Sequence, residues 1–192
     1  MTFFTRLFLL DYVKSNLFTC TLKKSTKTSR SAKFWPTLGF ATLAGMRSMS
    51  GPAFLSHYLS RNPSWFLLSS PLRMLQMPVV ARGLQLAAAG EMLADKLPGT
   101  PDRIAPPVLL GRLLSGALVG AAVYKSREGS SATGAVVGGL SAVVATFISY
   151  ALRVGISKQA NWPVATVGVG EDALVLGSGA ALLRAQPGRW GR

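Results

Sequence analysis

From residue 34 onward the chain is written in long apolar runs separated by short breaks of charge, proline or glycine. Residues 34–46 and 48–60 are two such runs parted only by Arg47, together long enough for one membrane crossing. Ser50, Gly51 and Pro52 sit in their middle, and a proline there removes a backbone donor. This first helix is therefore expected to be kinked or broken. Arg61, Asn62, Pro63 and Ser64 read as a loop, and residues 65–72 suit a membrane interface, where tryptophan is favoured. Residues 74–97 are the weakest span, with Pro78 near the start and Arg82 inside.

Pro98-Gly99-Thr100-Pro101-Asp102-Arg103 is a stop followed by a restart. Thr100 can cap a new helix, Pro101 suits its first position, and Asp102 complements the positive helix end. Residues 104–124 form the next span, interrupted only by Arg112. Residues 130–152 carry no charge and are the cleanest span, and residues 163–183 are the last, with Glu171 and Asp172 near the centre. Gly134, Gly138 and Gly139 with Ala142 in one span, and Gly116 with Gly120 in another, have the spacing of small residues that lets helices approach closely. The pattern predicts an all-α, polytopic transmembrane bundle of four or five helices over residues 34–185. A flexible basic tail (1–33) precedes it and a short basic tail (186–192) follows.

Orientation makes the count matter. The basic N-terminal tail argues for a cytoplasmic start, and five crossings would put Arg184, Arg189 and Arg192 on the opposite side. One segment is therefore suspected of not crossing fully, either within residues 64–97 or in the broken first helix.

Composition agrees with a membrane. Of 192 residues, 49% are apolar and only 15% charged, too little charge to cover a water-facing surface. The net charge of +14 raises nucleic acid as a partner, but its distribution answers the question. Seven basic residues fall within 1–33, and most others lie between apolar runs, as at a membrane surface. The expected partners are thus the lipid bilayer and, for the tail, anionic lipid headgroups; no nucleic acid is expected. Thin glycine-rich helices enclose little volume, which leaves homo-oligomerisation open. A single cysteine (Cys20) and a single histidine (His57) leave no basis for a multi-cysteine or His-rich metal centre, and no cofactor is implied. His57 is read as an interfacial hydrogen-bonder beside Tyr58.

The chemistry lies in the acids, of which there are only seven. Glu91 and Asp95 are four apart and share one helix face, so they want a cation, a proton or a facing arginine. Arg47 and Arg112 are the intrabundle candidates. A charge at mid-bilayer costs roughly 2.5–3.5 kcal/mol on insertion scales, so Arg47, Arg112, Glu171 and Asp172 are expected to pair. Arg47-Ser48-Met49-Ser50-Gly51 and Arg112-Leu113-Leu114-Ser115-Gly116 share Arg-x-x-Ser-Gly, with Gly90-Glu91 and Gly170-Glu171 downstream. Duplicated halves with broken helices are the build of many transporters. Enzyme chemistry finds no support: no Gly-x-Ser-x-Gly elbow, P-loop or His-Glu-x-x-His motif occurs, and no catalytic residue is assigned.

Gly-Met-Arg-Ser-Met-Ser-Gly-Pro-Ala within residues 39–53, Glu-x-x-Ala-Asp-Lys-x-Pro at 91–98, Pro-Asp-Arg at 101–103, Gly-Arg at 111–112 and Glu-Asp-Ala at 171–173 carry a family resemblance. Over roughly residues 36–183 the chain resembles a domain-of-unknown-function family of small, mostly bacterial multi-pass membrane proteins. The resemblance implies residence in a membrane, a bacterial inner membrane, and brings no reaction. Two functions follow as expectations. One is a non-enzymatic carrier or channel for a small solute or ion, with Arg47, Glu91, Asp95, Arg112, Glu171 and Asp172 lining a polar intramembrane site and Asp102 and Arg103 in a loop motif. The other is a membrane scaffold or assembly partner in which the same charges lock the fold.

Overall fold

The computed structural model describes residues 30–95, 105–160 and 164–186. Among them the chain is all-α: α1 (Arg30–Met46), α2 (Ser50–Arg61), two short 3₁₀ helices (Trp65–Leu67 and Pro71–Gln76), α3 (Pro78–Ala94), α4 (Pro106–Ser126), α5 (Ser131–Ala160) and α6 (Val164–Ala185). Three stretches are long and apolar enough to cross a membrane: Pro106–Ser126, Ser131–Gln159 and Thr166–Ala185. Their unpartnered faces are apolar, as at Leu114, Leu140, Ile148 and Leu174, and they mark the chain as a membrane protein. Most of the basic tail expected over residues 1–33 lies outside the described residues, as do residues 187–192; Arg30 to Lys33 already belong to α1.

The first apolar stretch is two helices. The interruption falls at Arg47, Ser48 and Met49, three residues before the expected site. Ser50, Gly51 and Pro52 form the first turn of α2 instead. A proline so near a helix start costs little, because its missing N–H would have had no intrahelical acceptor.

The two helices do not continue one another; they fold back into a hairpin. Gly51 is seated against the backbone of Phe40 and Ala44, where any Cβ would collide. The guanidinium of Arg127, just past the end of α4, donates to the Ala32 carbonyl at the start of α1. The Ser64 hydroxyl, just past the end of α2, lies 3.0 Å from the Ser126 carbonyl. Entry and exit of the hairpin therefore sit at the same end of the bundle. Arg127 also reaches the Gln186 side chain at 3.1 Å, which brings the end of α6 there too. Lys33, Arg61, Lys125, Arg127 and Arg184 make this end the basic pole of the bundle. From it α1 carries the hairpin tip roughly 20 Å inward at 1.5 Å per residue.

Gln76 ties the start of α3 to the same pole through two hydrogen bonds to the Ser64 backbone, at 3.0 and 3.2 Å. From there α3 runs antiparallel to α2. Helices α4 and α5 cross closest of all: a Cβ at Gly120 would fall on the Gly134 carbonyl, and one at Gly116 on Gly138 and Ala142. This is the close approach the small-residue spacing predicts, with Gly139 set aside in ordinary contact at 3.5 Å. The core that supports the hairpin is built from Phe40, Leu43, Leu55, Leu59, Val119 and Val175, each at most 2% exposed.

Candidate functional site at the hairpin tip

An unbroken helix would join Met49 N–H to the Gly45 carbonyl, but the turn parts them. Each half finds a side chain of the matching charge. The Glu91 carboxylate accepts from the backbone N–H groups of Ser48 and Met49, both at 2.8 Å, one through each oxygen. It thereby sits at the positive start of α2, where an anion is favoured. The Gly45 carbonyl accepts from Arg112 Nη1 and from the Thr146 hydroxyl, both at 2.9 Å. The Ser115 hydroxyl donates to the Ser48 carbonyl, and the Ser50 hydroxyl lies 2.8 Å from the carbonyls of Leu43 and Arg47. Irregular backbone inside an apolar bundle is tolerated when its polar groups are answered in this way.

Arg47 occupies the turn itself and is only 2% exposed. Its Nη2 lies 2.6 Å from Asp172 Oδ1 on α6 and 3.0 Å from Asp95 Oδ2, next to the last turn of α3. Arg153 of α5 approaches the same Asp95 oxygen at 3.5 Å. Gly168 leaves room for that guanidinium, because a Cβ there would meet it. Asp172, Arg47, Asp95 and Arg153 thus form a chain of alternating charge across four elements. Beside it the Ser149 hydroxyl donates to Glu171 at 2.6 Å, with both residues buried. Removing one partner of the buried Arg47–Asp172 ion pair costs about 3–5 kcal/mol, because the other charge is stranded.

All six residues expected at an intramembrane polar site, Arg47, Glu91, Asp95, Arg112, Glu171 and Asp172, are assembled around this tip. The paired pattern Arg-x-x-Ser-Gly places its two arginines differently: Arg47 sits in a break and Arg112 within the unbroken α4. Asp102 and Arg103 lie outside the described residues. His57 does make a polar contact, its Nδ1 lying 3.0 Å from Gln85 Nε2 on α3.

Sequence reasoning passed over Thr146, Ser149 and Arg153, the last lying just beyond the expected span of residues 130–152. The signal was present. These three lie at i, i+3 and i+7, one face of a helix, in an otherwise apolar stretch. At 30 residues α5 is longer than the roughly 20 a crossing needs, so Arg153 falls inside the helix rather than beyond it. Among the described residues no group of His, Cys, Asp and Glu is arranged to hold a metal ion.

Residues 36–185 match the family model described as a domain of unknown function (DUF4126). No curated protein and no solved structure matches the chain.

Proposed function

The chain belongs to this DUF4126 family, and from that premise we propose a multi-pass membrane carrier or channel, non-enzymatic, for a small solute or ion. In this reading α3 is a fourth crossing beside α4, α5 and α6, and α1–α2 is a re-entrant hairpin that enters and leaves at one face. An even number of crossings returns Gln186 to the side on which α1 begins. That removes the conflict with the positive-inside rule and assigns the basic pole to the cytoplasm, at the bacterial inner membrane that the family resemblance implies.

The observation that carries the proposal is the parted helix at Gly45 and Met49, held open inside the bundle beside Arg47, Asp95 and Asp172. Helices broken near the membrane midplane, with termini aimed at a charged site, are where transporters bind their cargo. Ionisable residues at that depth lean functional. At the tip Met49 is 38% exposed, while Arg47 beside it is 2%.

A second reading, a scaffold locked by its charges, is favoured by a different observation: Glu91, Arg112, Glu171 and Arg47 each already have a partner on another element. Glu171→Gln separates the two. The purified protein would be reconstituted in liposomes and tested for flux of protons, sodium, potassium and chloride. Under the transport reading the wild type dissipates one of these gradients, and the variant loses that flux or shifts its pH dependence at unchanged folded yield. Under the scaffold reading no gradient is dissipated and the variant lowers folded yield.

A further inference from the structure

From the tip toward the basic pole, a cavity of about 400 Å³ lies between α2, α3 and α6. Its walls are Ala53 and Phe54 of α2, Ala88, Ala89 and Met92 of α3, and Leu176 and Leu183 of α6. The cavity exists because the walls are small on one side and tucked away on the other. Ala53, Ala88 and Ala89 leave a gap that leucines would fill. The Phe54 ring is drawn against Gly179, where no side chain competes for the space.

Three features say what fits. The first is direction: the lining runs from Ser50, Met92 and Leu176 near the tip to His57, Gln85 and Leu183 toward the basic pole. Seven residues of α2 or α6 span that length, about 10 Å, parallel to the helices and hence to lipid chains. The second is lining. It is a slot whose walls between the two ends are apolar, with Ser50 at one end and His57 and Gln85 at the other, which suits a hydrocarbon chain. The third is charge. Toward the pole end lie two exposed arginines, Arg61, one turn beyond His57 on the same face of α2, and Arg184, the residue after Leu183 on α6. His57 and Gln85 add polar groups at the mouth, 3.0 Å from one another.

We infer that this groove binds one acyl chain of an anionic phospholipid from the leaflet at the basic pole, with the headgroup at Arg61 and Arg184. Basic residues at the cytoplasmic end of a gap between helices are the usual way anionic headgroups are retained, and the alanine-lined slot supplies a place for the chain. The groove touches the tip at Ser50 but is lined by none of the charged residues of the cluster, and the assignment stands whether or not the protein transports anything.

The full-length protein would be purified in detergent, exchanged into mixtures of phosphatidylglycerol and phosphatidylcholine, and examined by native mass spectrometry. The wild type retains phosphatidylglycerol in at least tenfold preference. Arg61→Gln with Arg184→Gln reduces the preference to near unity, and Ala88→Leu, which fills the slot, abolishes retention of both lipids. Because Ala88→Leu could fail to fold, a phosphatidylglycerol with a photoreactive acyl chain is also cross-linked to the wild type, with adducts expected on the α3 and α6 peptides holding Ala88, Met92 and Leu176. Equal retention of the two lipids by the wild type, adducts confined to other helices, or peptides of a second copy cross-linked at Ala88 would each overturn the assignment.

Discussion

Met49 N–H and the Gly45 carbonyl, one helical turn apart in sequence, are not bonded to each other; Glu91 takes the first at 2.8 Å and Arg112 the second at 2.9 Å. One backbone hydrogen bond has been replaced by two charge-assisted ones, and the two side chains come from different helices. The hairpin is therefore clamped from both sides of its turn, with α3 holding the start of α2 and α4 holding the end of α1. Neither clamp is a charge–charge contact, so neither is visible from counting opposite charges.

Glu91→Gln should destabilise the fold by about 1–3 kcal/mol. The amide keeps one acceptor oxygen, but its NH₂ then faces a second backbone N–H, and the negative charge at the start of α2 is lost. Thermal unfolding in detergent measures this. An unchanged melting midpoint would mean that Glu91 does not hold the turn.

The glycines divide into those that are needed and those that are not. Gly120→Ala places a methyl group on the Gly134 carbonyl, backbone against backbone. It should force α4 and α5 apart at a cost of about 1–3 kcal/mol. Gly83, inside α3, faces open space, with no atom within 4 Å of where a Cβ would stand, so Gly83→Ala should gain about 0.5–1 kcal/mol from helix propensity alone. The opposite signs are the test, and both are read from unfolding curves of the purified variants.

These contrasts show what could be read from the letters. The helical class, the spans at α4, α5 and α6, and the six residues of the polar cluster follow from hydropathy and from the cost of stranding charge in an apolar interior. The hairpin did not. Two apolar runs parted by one arginine have the length of a single crossing, and only tertiary contacts, Gly51 on Phe40 and Ser64 on Ser126, turn them back. Glu91 was legible as an acid in want of a cation, a proton or a facing arginine but not as a cap, because its partners are backbone amides that nearly every residue carries.

The hairpin makes a prediction about sidedness. In a Cys20→Ser background, single cysteines at Ser31, Glu128 and Gln186 should all react with a membrane-impermeant maleimide from one side, and a cysteine at Gln159 from the other. In bacterial spheroplasts the proposed topology, with the basic pole in the cytoplasm, predicts that the first three label only after permeabilisation. Labelling of Ser31→Cys and Gln186→Cys from opposite sides would mean that α1–α2 crosses fully.

Pro36 gives the sharpest test of how the basic pole is held. Lying inside α1, it has no N–H with which to reach the carbonyl four residues earlier, that of Ala32. The Arg127 guanidinium donates to that carbonyl instead, so an arginine beyond α4 supplies what α1 cannot. Arg127→Gln should therefore cost about 1–3 kcal/mol, through an acceptor left unanswered. Pro36→Ala restores a local donor and should absorb part of that loss. The double variant should then be more stable than the sum of the two single changes predicts, with a coupling of about 0.5–3 kcal/mol. Strict additivity in denaturant unfolding would show that Arg127 acts at this pole through its bond to Gln186 and not through the carbonyl that Pro36 leaves exposed.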